Sequence, residues 1–152
     1  MELNFRVRSA EQSDVLFFYQ SVVAGNNYQG SSGDFLQVFK QKLLSSATKM
    51  LVVELVSRSE NVGLIVVDVQ YNLTDTRPVY EIKEFFIVAE YRNYNTADIL
   101  YEYFESSLKN QANCIIRVCC NIHSSLMHSF YSRKQFAYAK KLYIKELQLV
   151  QC

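Results

Sequence analysis

The chain has 152 residues, 49% of them hydrophobic, which suits one globular domain with a single core. Its 16 Lys and Arg nearly balance 15 Asp and Glu. This balance excludes the strong overall field typical of nucleic-acid-binding and membrane-surface proteins. No apolar run approaches the ~20 residues of a membrane-spanning helix, and the N-terminus lacks the apolar core of a signal peptide. We therefore expect a cytoplasmic protein that binds neither nucleic acid nor membrane.

The first third of the chain predicts a strand followed by two helices. The segment LNFRVR alternates apolar and polar residues, the period of a half-buried strand. Ser9 is the predicted N-cap of the first helix, which ends at Gly25. Asn26 to Gly33 has the composition of a loop, and Asp34 is the predicted cap of a second helix with one apolar face.

The middle of the chain predicts three strands, at Met50 to Val56, Val62 to Val69 and Val79 to Val88. The breaks between them are short enough for antiparallel neighbours but too short for crossover helices. This spacing excludes an all-parallel fold.

The last third predicts a helix, a strand, a helix and a strand. An apolar helical stripe runs to about Asn110, and a strand follows at Cys114 to Cys120. Ser124 is the predicted N-cap of the next helix, and a final strand is expected near Leu142 to Val150. The order β-α-α-β-β-β-α-β-α-β is typical of a mixed α+β, or α/β, fold.

The cysteines and histidines do not predict a metal site or a disulfide framework. The four cysteines lack the even spacing of a small secreted domain, so we expect reduced thiols at Cys114, Cys119, Cys120 and Cys152. Vicinal residues on a strand point to opposite faces, and His123 and His128 are five residues apart, a spacing that does not favour one helical face.

Two segments resemble motifs of the GNAT superfamily, the acyl-coenzyme A dependent N-acyltransferases. The segment EFFIVAEYRNYNTADILYEYFE, Glu84 to Glu105, resembles the family's strand, its Arg or Gln followed by x-x-Gly-x-Gly or Ala, and its helix. The segment SSLMHSFYSRKQFAYAKKLYIKEL, Ser124 to Leu147, resembles the closing Asn-x-x-Ala-x-x-Phe-Tyr-x-x-x-Gly-Phe segment and the strand after it. The order of elements agrees over nearly the whole chain.

The first motif implies a site for the pyrophosphate of coenzyme A. Arg92 occupies the basic position, Asn95 replaces the first glycine, and Ala97 matches the second. Backbone amides at a helix N-terminus can surround a phosphate, and Asn tolerates positive φ better than most residues. The resemblance assigns coenzyme binding to Arg92, Asn93, Tyr94, Asn95, Thr96 and Ala97. The alternative is a solvated turn with Asn95 or Thr96 as a helix cap, which Asp98 in the first turn favours.

The second motif implies a proton donor and further coenzyme contacts. Ser124 stands at the Asn position, Gln135 at the Gly position, and Phe130 and Tyr131 match the Phe-Tyr pair. The resemblance implies that Ser124 and Phe130 bind coenzyme A and that Tyr131 protonates its departing thiolate. The alternative for Tyr131 is a half-buried packing residue. Arg133 or Lys134 could assist the 3′-phosphate, or belong to a solvated face.

The strand before the first motif carries the remaining candidates. In the resemblance, Glu84 removes the proton from an incoming ammonium, and backbone groups of Phe86, Ile87 and Val88 pair with the pantetheine arm and hold the oxyanion. For Glu84 the ordinary alternative is a solvent-facing residue. Glu81 competes for the same role, but its odd offset predicts that it faces away from Glu84.

The resemblance implies an overall fold and a function. The fold is a central, mostly antiparallel twisted sheet of six to seven strands with helices on both faces, in one domain over residues 1–152. The function is transfer of an acetyl group from acetyl-CoA, without a metal, to an amine of a small molecule or protein that attacks directly. The acetyl-CoA cleft is expected between the strands at Glu84 to Val88 and Cys114 to Cys120. The chain is expected to be a monomer or a homodimer. The alternative is an inactive coenzyme-binding sensor or protein-interaction module, because Asn95, Ser124 and Gln135 depart from the motifs.

Overall fold

The structure is a computed structural model that describes residues 3–25, 28–110, 113–119, 125–139 and 142–147. Its contacts divide the chain into two compact units, residues 1–119 and 120–152, and each unit is described by itself. Ser124, Cys120 and His123 lie outside the described residues. The single domain over residues 1–152 stays a prediction.

The first unit contains eight of the described helices and strands: β1 (Phe5–Ser9), α1 (Val15–Gly25), α2 (Ser32–Leu44), β2 (Thr48–Leu55), β3 (Glu60–Gln70), β4 (Val79–Ile87), α3 (Thr96–Ser107) and β5 (Ile115–Val118). The second unit contains α4 (Ser125–Arg133). As far as α4 the elements follow the predicted order. In the described part of the chain, no helix combines the length and apolar character needed to cross a bilayer.

The five strands of the first unit form one sheet in chain order, β1-β2-β3-β4-β5. The first three pairings are antiparallel, and β4 pairs with β5 in parallel. The predicted mixed class and the mostly antiparallel sheet are confirmed. Six to seven strands are not seen, since the described residues form five.

Helices cover both faces of the sheet in the first unit, and β2 and β3 are therefore buried on both faces. On one face, side chains of α1 and α2 pack on alternate strand residues in a core of Phe18, Phe39, Met50, Val52, Leu64 and Val66. The intervening strand residues face α3, which buries Leu100, Tyr101 and Phe104. The Tyr80 ring on β4 meets the Phe104 ring edge to face at 6.4 Å, and the Tyr101 ring meets it edge to face at 6.2 Å.

Both predicted N-caps in the first unit were wrong. Ser9 is the last residue of β1 and pairs with Leu51, and a short 3-10 turn at residues 12–14 leads into α1. Ser31, not Asp34, caps α2, because its hydroxyl accepts a hydrogen bond from the Asp34 amide at 3.0 Å. Apolar periodicity predicts where a helix lies. It does not predict which polar residue is the N-cap, because the N-cap has an extended backbone that depends on the loop before the helix.

The predicted final strand was wrong over residues 142–147, which belong to no strand. Leu142 and Ile144 are exposed there. Apolar, β-branched composition favours a strand, but a strand forms only where a neighbouring backbone satisfies its hydrogen bonds. The remaining part of the prediction, residues 148–150, lies outside the described residues.

A buried ion pair attaches the start of α1 to the sheet. Asp14 is 4% exposed, and Arg8 of β1 donates two hydrogen bonds of 2.9 Å to its carboxylate. Asn61 of β3 and the Glu11 amide donate two more, and Arg8 also contacts Glu54 of β2. Burial raises the pKa of Asp14, but these hydrogen bonds outweigh it and hold the pKa below its ordinary value of 3.8. Residues of β1 and β3 therefore meet at one ionised carboxylate, and Arg8 extends the cluster to β2.

Replacing the Asp14 carboxylate tests how much it contributes to stability. We expect Asp14→Ala to lower the free energy of unfolding at pH 7 by about 3 kcal/mol, because it leaves Arg8 part-buried without its main partner. Since the folded state lowers the pKa of Asp14, the wild-type advantage is complete above pH 3.8 and declines as pH falls through the folded value. Urea unfolding at several pH values measures both effects.

The matched control is Asp75→Ala, which removes an exposed carboxylate paired with Arg77 in the loop before β4. Solvent screens this pair, so the control should leave the urea midpoint unchanged at pH 7. Equal effects of the two substitutions would contradict a structural role for the Asp14 cluster.

Candidate active site

The pairing of β4 changes along its length. Residues Val79 to Ile82 pair with β5 on one side and with β3 on the other. From Glu84 to Ile87, β4 continues to pair with β3, while β5 ends at Val118. Within the described ranges, the other side of residues 83–87 has no strand partner. We call this side of β4, from residue 83 to Ile87, the open edge.

A β-bulge in β4 changes which residues share a face. Val66 of β3 pairs with Glu84, but the next residue, Val67, pairs with Ile82. Lys83 is therefore the extra residue, and Glu81 pairs with Asp68, two residues from Val66. The prediction that Glu81 and Glu84 face opposite sides was wrong, because the extra residue reverses the alternation between them.

The backbone of β4 presents Ile87, rather than Phe86 or Val88, to the open edge. The Val88 amide donates to the Val62 carbonyl on β3 at 2.8 Å. Backbone groups alternate between the two sides of a strand, so Phe86 also faces β3, while the N–H and C=O of Ile87 face the open edge. The Ile87 carbonyl there accepts a hydrogen bond from Arg92 Nε at 2.9 Å.

Glu84 lies on the sheet face that α1 and α2 cover. It is half-buried opposite Val66, whose side chain belongs to the core beneath these helices. Burial raises the pKa of Glu84 above its ordinary value of 4.5, and the positive charge of Lys42 only partly offsets this. A carboxylate with raised proton affinity, at the start of an open edge, can accept a proton from an ammonium group.

Glu81 differs from Glu84 although both lie on the same face. Arg117 Nη2 of β5 and Lys83 Nζ lie 2.5 Å and 3.0 Å from its two carboxylate oxygens. Burial raises the pKa of Glu81, but the hydrogen bonds from Arg117 and Lys83 outweigh it and lower the pKa below 4.5. Glu81 is thus held as an anion, and Glu84 is the better candidate for a base.

The turn after β4 ends in a left-handed residue. A 3-10 turn at residues 89–91 follows the strand, and Asn95 precedes α3 with φ of 58° and ψ of 22°. This conformation is the one expected where Asn replaces a glycine. Thr96 is fully buried, and its hydroxyl donates to the Tyr91 carbonyl at 2.8 Å. The buried hydroxyl therefore fixes the turn from inside.

The N-terminus of α3 presents backbone amides. The first helical hydrogen bond runs from the Ile99 amide to the Asn95 carbonyl at 3.0 Å. The amides of Thr96, Ala97 and Asp98 precede it and have no acceptor within the helix. Together with the helix dipole they favour an anion, although the Asp98 carboxylate in the same turn opposes one.

Arg92 lies between the open edge and this helix end along the chain. Besides its hydrogen bond to the Ile87 carbonyl, its guanidinium lies 5.9 Å from the centre of the Phe86 ring. Arg92, Asn93 and Tyr94 are exposed, and the ring of Tyr94 packs near that of Tyr91 at 6.3 Å. The predicted phosphate-binding residues thus form one continuous turn, with the cation held at the end of β4.

In the second unit, α4 carries the predicted Phe-Tyr pair. Phe130 and Tyr131 are buried, and the Tyr131 ring contacts Phe130 and Phe136 edge to face at 5.4 and 5.1 Å. Gln135, at the motif's glycine position, has φ of 69°. Both non-glycine residues at glycine positions, Asn95 and Gln135, therefore adopt the left-handed backbone that the motifs require.

Two cations lie against the ring of Phe130. The Arg133 guanidinium and the Lys134 ammonium lie 5.5 and 5.7 Å from the ring centre. In the described part of the chain, no group of three His, Cys, Asp or Glu side chains could hold a metal ion. Cys114 and Cys119 carry free thiols.

The sequence matches no family model and no curated protein, whereas solved structures match it over nearly its whole length. An aminoglycoside 6′-N-acetyltransferase from Acinetobacter baumannii is 14% identical, with a TM-score of 0.80 over 96% of this chain and 99% of that chain. Glucosamine-6-phosphate N-acetyltransferase from Arabidopsis thaliana is 15% identical, with a TM-score of 0.76 over 95% and 99%. The fold is that of the GNAT N-acetyltransferases. A transcriptional regulator from Bacillus halodurans, 14% identical, also matches, with a TM-score of 0.82 over 95% and 100%.

The GNAT fold agrees with the resemblance seen in the sequence. At these identities the likeness shows the fold alone and assigns no role to Glu84, Tyr131 or the turn after β4. Sequence reasoning missed the cluster of Lys83 and Arg117 around Glu81. The one signal in the sequence was the charge pattern of EIKE, residues 81–84. The bulge changes which of these residues share a face.

Substitutions at Asn95 test the left-handed turn of the GNAT fold. We expect Asn95→Ala to cost about 1 kcal/mol of stability, because a Cβ without a local polar group is strained at positive φ. Asn95→Gly should stay within a few tenths of a kcal/mol of wild type. Thermal unfolding measures both, and an alanine variant as stable as the glycine variant would show that this backbone conformation is absent.

Proposed function

We propose that this protein is an N-acetyltransferase that transfers an acetyl group from acetyl-CoA to an amine. The observation that carries the proposal is the open edge of β4 at residues 83–87, which begins beside Glu84 and continues into the amide-lined turn before α3. An open edge can pair with an extended pantetheine arm, and the turn can accept the phosphates at its end. One strand thus supplies both binding and chemistry.

Coenzyme binding falls to three groups of residues. The C=O of Ile87 faces the open edge and is the backbone group best placed to pair with the pantetheine arm, which leaves the Ile87 N–H for the reaction. Arg92 and the amides of Asn93, Asn95, Thr96 and Ala97 hold the pyrophosphate, whereas the Tyr94 amide donates to the Tyr91 carbonyl. From the second unit, the resemblance adds Ser124 and Phe130.

Acetyl transfer needs a neutral amine, a polarised carbonyl and a protonated leaving group. Glu84 takes the proton from the bound ammonium, and the nitrogen lone pair then attacks the thioester carbon. The Ile87 amide donates to the oxyanion that forms, a role that the Val88 amide cannot share because it is bonded to β3. As the C–S bond breaks, Tyr131 gives its phenolic proton to the sulfur, the nitrogen loses its second proton to water, and water returns a proton to Tyr131. The amide product and coenzyme A leave without a covalent enzyme intermediate.

Thermal unfolding with acetyl-CoA, followed by a thiol-release assay, tests the proposal. Acetyl-CoA at ~100 times its dissociation constant should stabilise the protein by about 2.7 kcal/mol. Tyr131→Phe should lower kcat about 100-fold while the shift with acetyl-CoA persists, since only the proton donor is lost. The control is Tyr143→Phe, at an 88% exposed tyrosine of the same unit. No shift at millimolar acetyl-CoA would rule the proposal out, and binding without turnover of any amine would indicate a coenzyme sensor.

Glu84→Gln tests the base in two independent ways. We expect kcat/KM to fall about 100-fold and to lose its rise with pH through a pKa above 4.5. The same change should stabilise the protein at pH 7, because the fold disfavours the ionised Glu84. This gain should vanish below about pH 4, where the carboxyl is protonated in both folded and unfolded chains.

Activity profiles and melting temperatures from pH 4 to 8 measure both effects of Glu84→Gln. Glu102→Gln on the exposed face of α3 is the control and should change neither. If Glu84→Gln retains the full pH profile, another group must be the base.

A further inference from the structure

A charged cluster lies beside Glu84 on the same face of the sheet. It is centred on Glu81 and contains Lys83, Arg117 and Gln70; we name it the Glu81 cluster. Arg117 Nη2 donates to Glu81 and, at 2.9 Å, to the Gln70 side-chain oxygen, while the Gln70 amide donates to Glu81 at 3.1 Å. Four side chains from three strands are thus held together.

The register of the sheet sets the separation between this cluster and Glu84. Glu81 pairs with Asp68 on β3 and with Arg117 on β5, whereas Glu84 pairs with Val66. Asp68 and Val66 are two residues apart on one strand, which corresponds to about 7 Å. The two sites therefore lie within the span of one small molecule.

The cluster has more positive than negative charge. Lys83 and Arg117 share one carboxylate, that of Glu81, and Gln70 is neutral. The neighbouring carboxylate, Asp68, is already paired with Lys42 at 2.7 Å and accepts from Thr48. Asp68 therefore does not cancel the surplus of one positive charge that Lys83 and Arg117 carry.

The exposed part of the cluster is its cationic part. The side chains of Lys83 and Arg117 are 40% and 38% exposed, whereas that of Glu81 is 11% exposed. A ligand approaching Glu84 on this face meets an ammonium and a guanidinium before it meets the Glu81 carboxylate. Guanidinium groups bind carboxylates and phosphates through charge-assisted hydrogen bonds.

We propose that the acceptor is an amine that also carries an anionic group, a carboxylate or a phosphate. Its ammonium binds at Glu84, and its anion binds Lys83 and Arg117 about 7 Å away. This inference rests on the proposed acetyltransferase function and names the acceptor class. A second ammonium at the same distance is disfavoured by the surplus positive charge.

Four matched amines distinguish the acceptor classes. We name 4-aminobutyrate, 2-aminoethyl phosphate, the neutral 4-aminobutanamide and the cationic 1,4-diaminobutane as probes, with thiol release from acetyl-CoA as the assay. At low salt, kcat/KM for the anionic amines should exceed that for the neutral amine about tenfold, and the cationic amine should be poorest. The ratio between the two anionic amines tells whether carboxylate or phosphate is preferred.

Variants of opposite sign separate anion binding from a structural role. Arg117→Gln and Lys83→Gln should each reduce the preference for the anionic amine over 4-aminobutanamide about threefold, so that the two together account for it. Glu81→Gln should increase that preference, because it leaves both cations without their carboxylate, although it breaks the same ion pairs. The control is Arg77→Gln, at an exposed arginine of the loop before β4, which should leave the preference unchanged.

Different results would contradict the anionic acceptor and the acetyltransferase function on which it rests. Turnover with equal or better use of 4-aminobutanamide or 1,4-diaminobutane overturns the anionic acceptor and leaves the acetyltransferase standing. Turnover of no amine overturns the acetyltransferase and the inference with it. Calorimetric titration of 4-aminobutyrate and 2-aminoethyl phosphate into the complex with coenzyme A gives a readout without turnover. Binding that Arg117→Gln does not weaken and Glu81→Gln does not strengthen overturns the anionic site.

Discussion

The extra residue at Lys83 sets the register of β4, and the candidate site depends on that register. Without the bulge, Lys83 would pair with Val66, and Glu84 would face α3 instead of the side covered by α1 and α2. The same shift would turn the amide of Ile87 toward β3 and offer another residue to the open edge. The one extra residue thus determines the direction of both the Glu84 side chain and the Ile87 amide. Bulges commonly re-aim residues beside active sites, and here the bulge also coincides with the end of pairing to β5.

The carboxylates of the first unit differ in the cations and hydrogen-bond donors around them. Asp14 and Glu81 are each surrounded by cations and hydrogen-bond donors that lower their pKa, so both are anions that hold elements together. Glu84 has a raised pKa because burial dominates its surroundings. A carboxylate whose pKa is raised by burial accepts a proton more readily, and keeping it ionised costs stability. The structure thus separates carboxylates that stabilise the fold from one suited to chemistry.

The turns of the two motifs depend on backbone conformation more than on residue identity. Asn95 and Gln135 replace glycines of the motifs, yet both have φ between 58° and 69°. Asn reaches this region at low cost, whereas Gln lacks the short side chain that makes it easy. The hydrogen bonds around Gln135, from its own amide to Ser132 and from the Phe136 amide to Tyr131, help to hold it there. Departure from a sequence motif therefore need not mean departure from its geometry.

The sequence by itself determined the type and order of the elements as far as α4, the mixed class, and the turn between β4 and α3. These follow from local periodicity and from residues such as Asn95 whose backbone preferences act within a few positions. Only the tertiary structure decided the bulge at Lys83 and the shared face of Glu81 and Glu84. It also decided that residues 142–147 form no strand, although their composition favours one. The reason is the same in each case: a register or a strand is completed by hydrogen bonds to groups distant in sequence, which alternation along one segment does not contain.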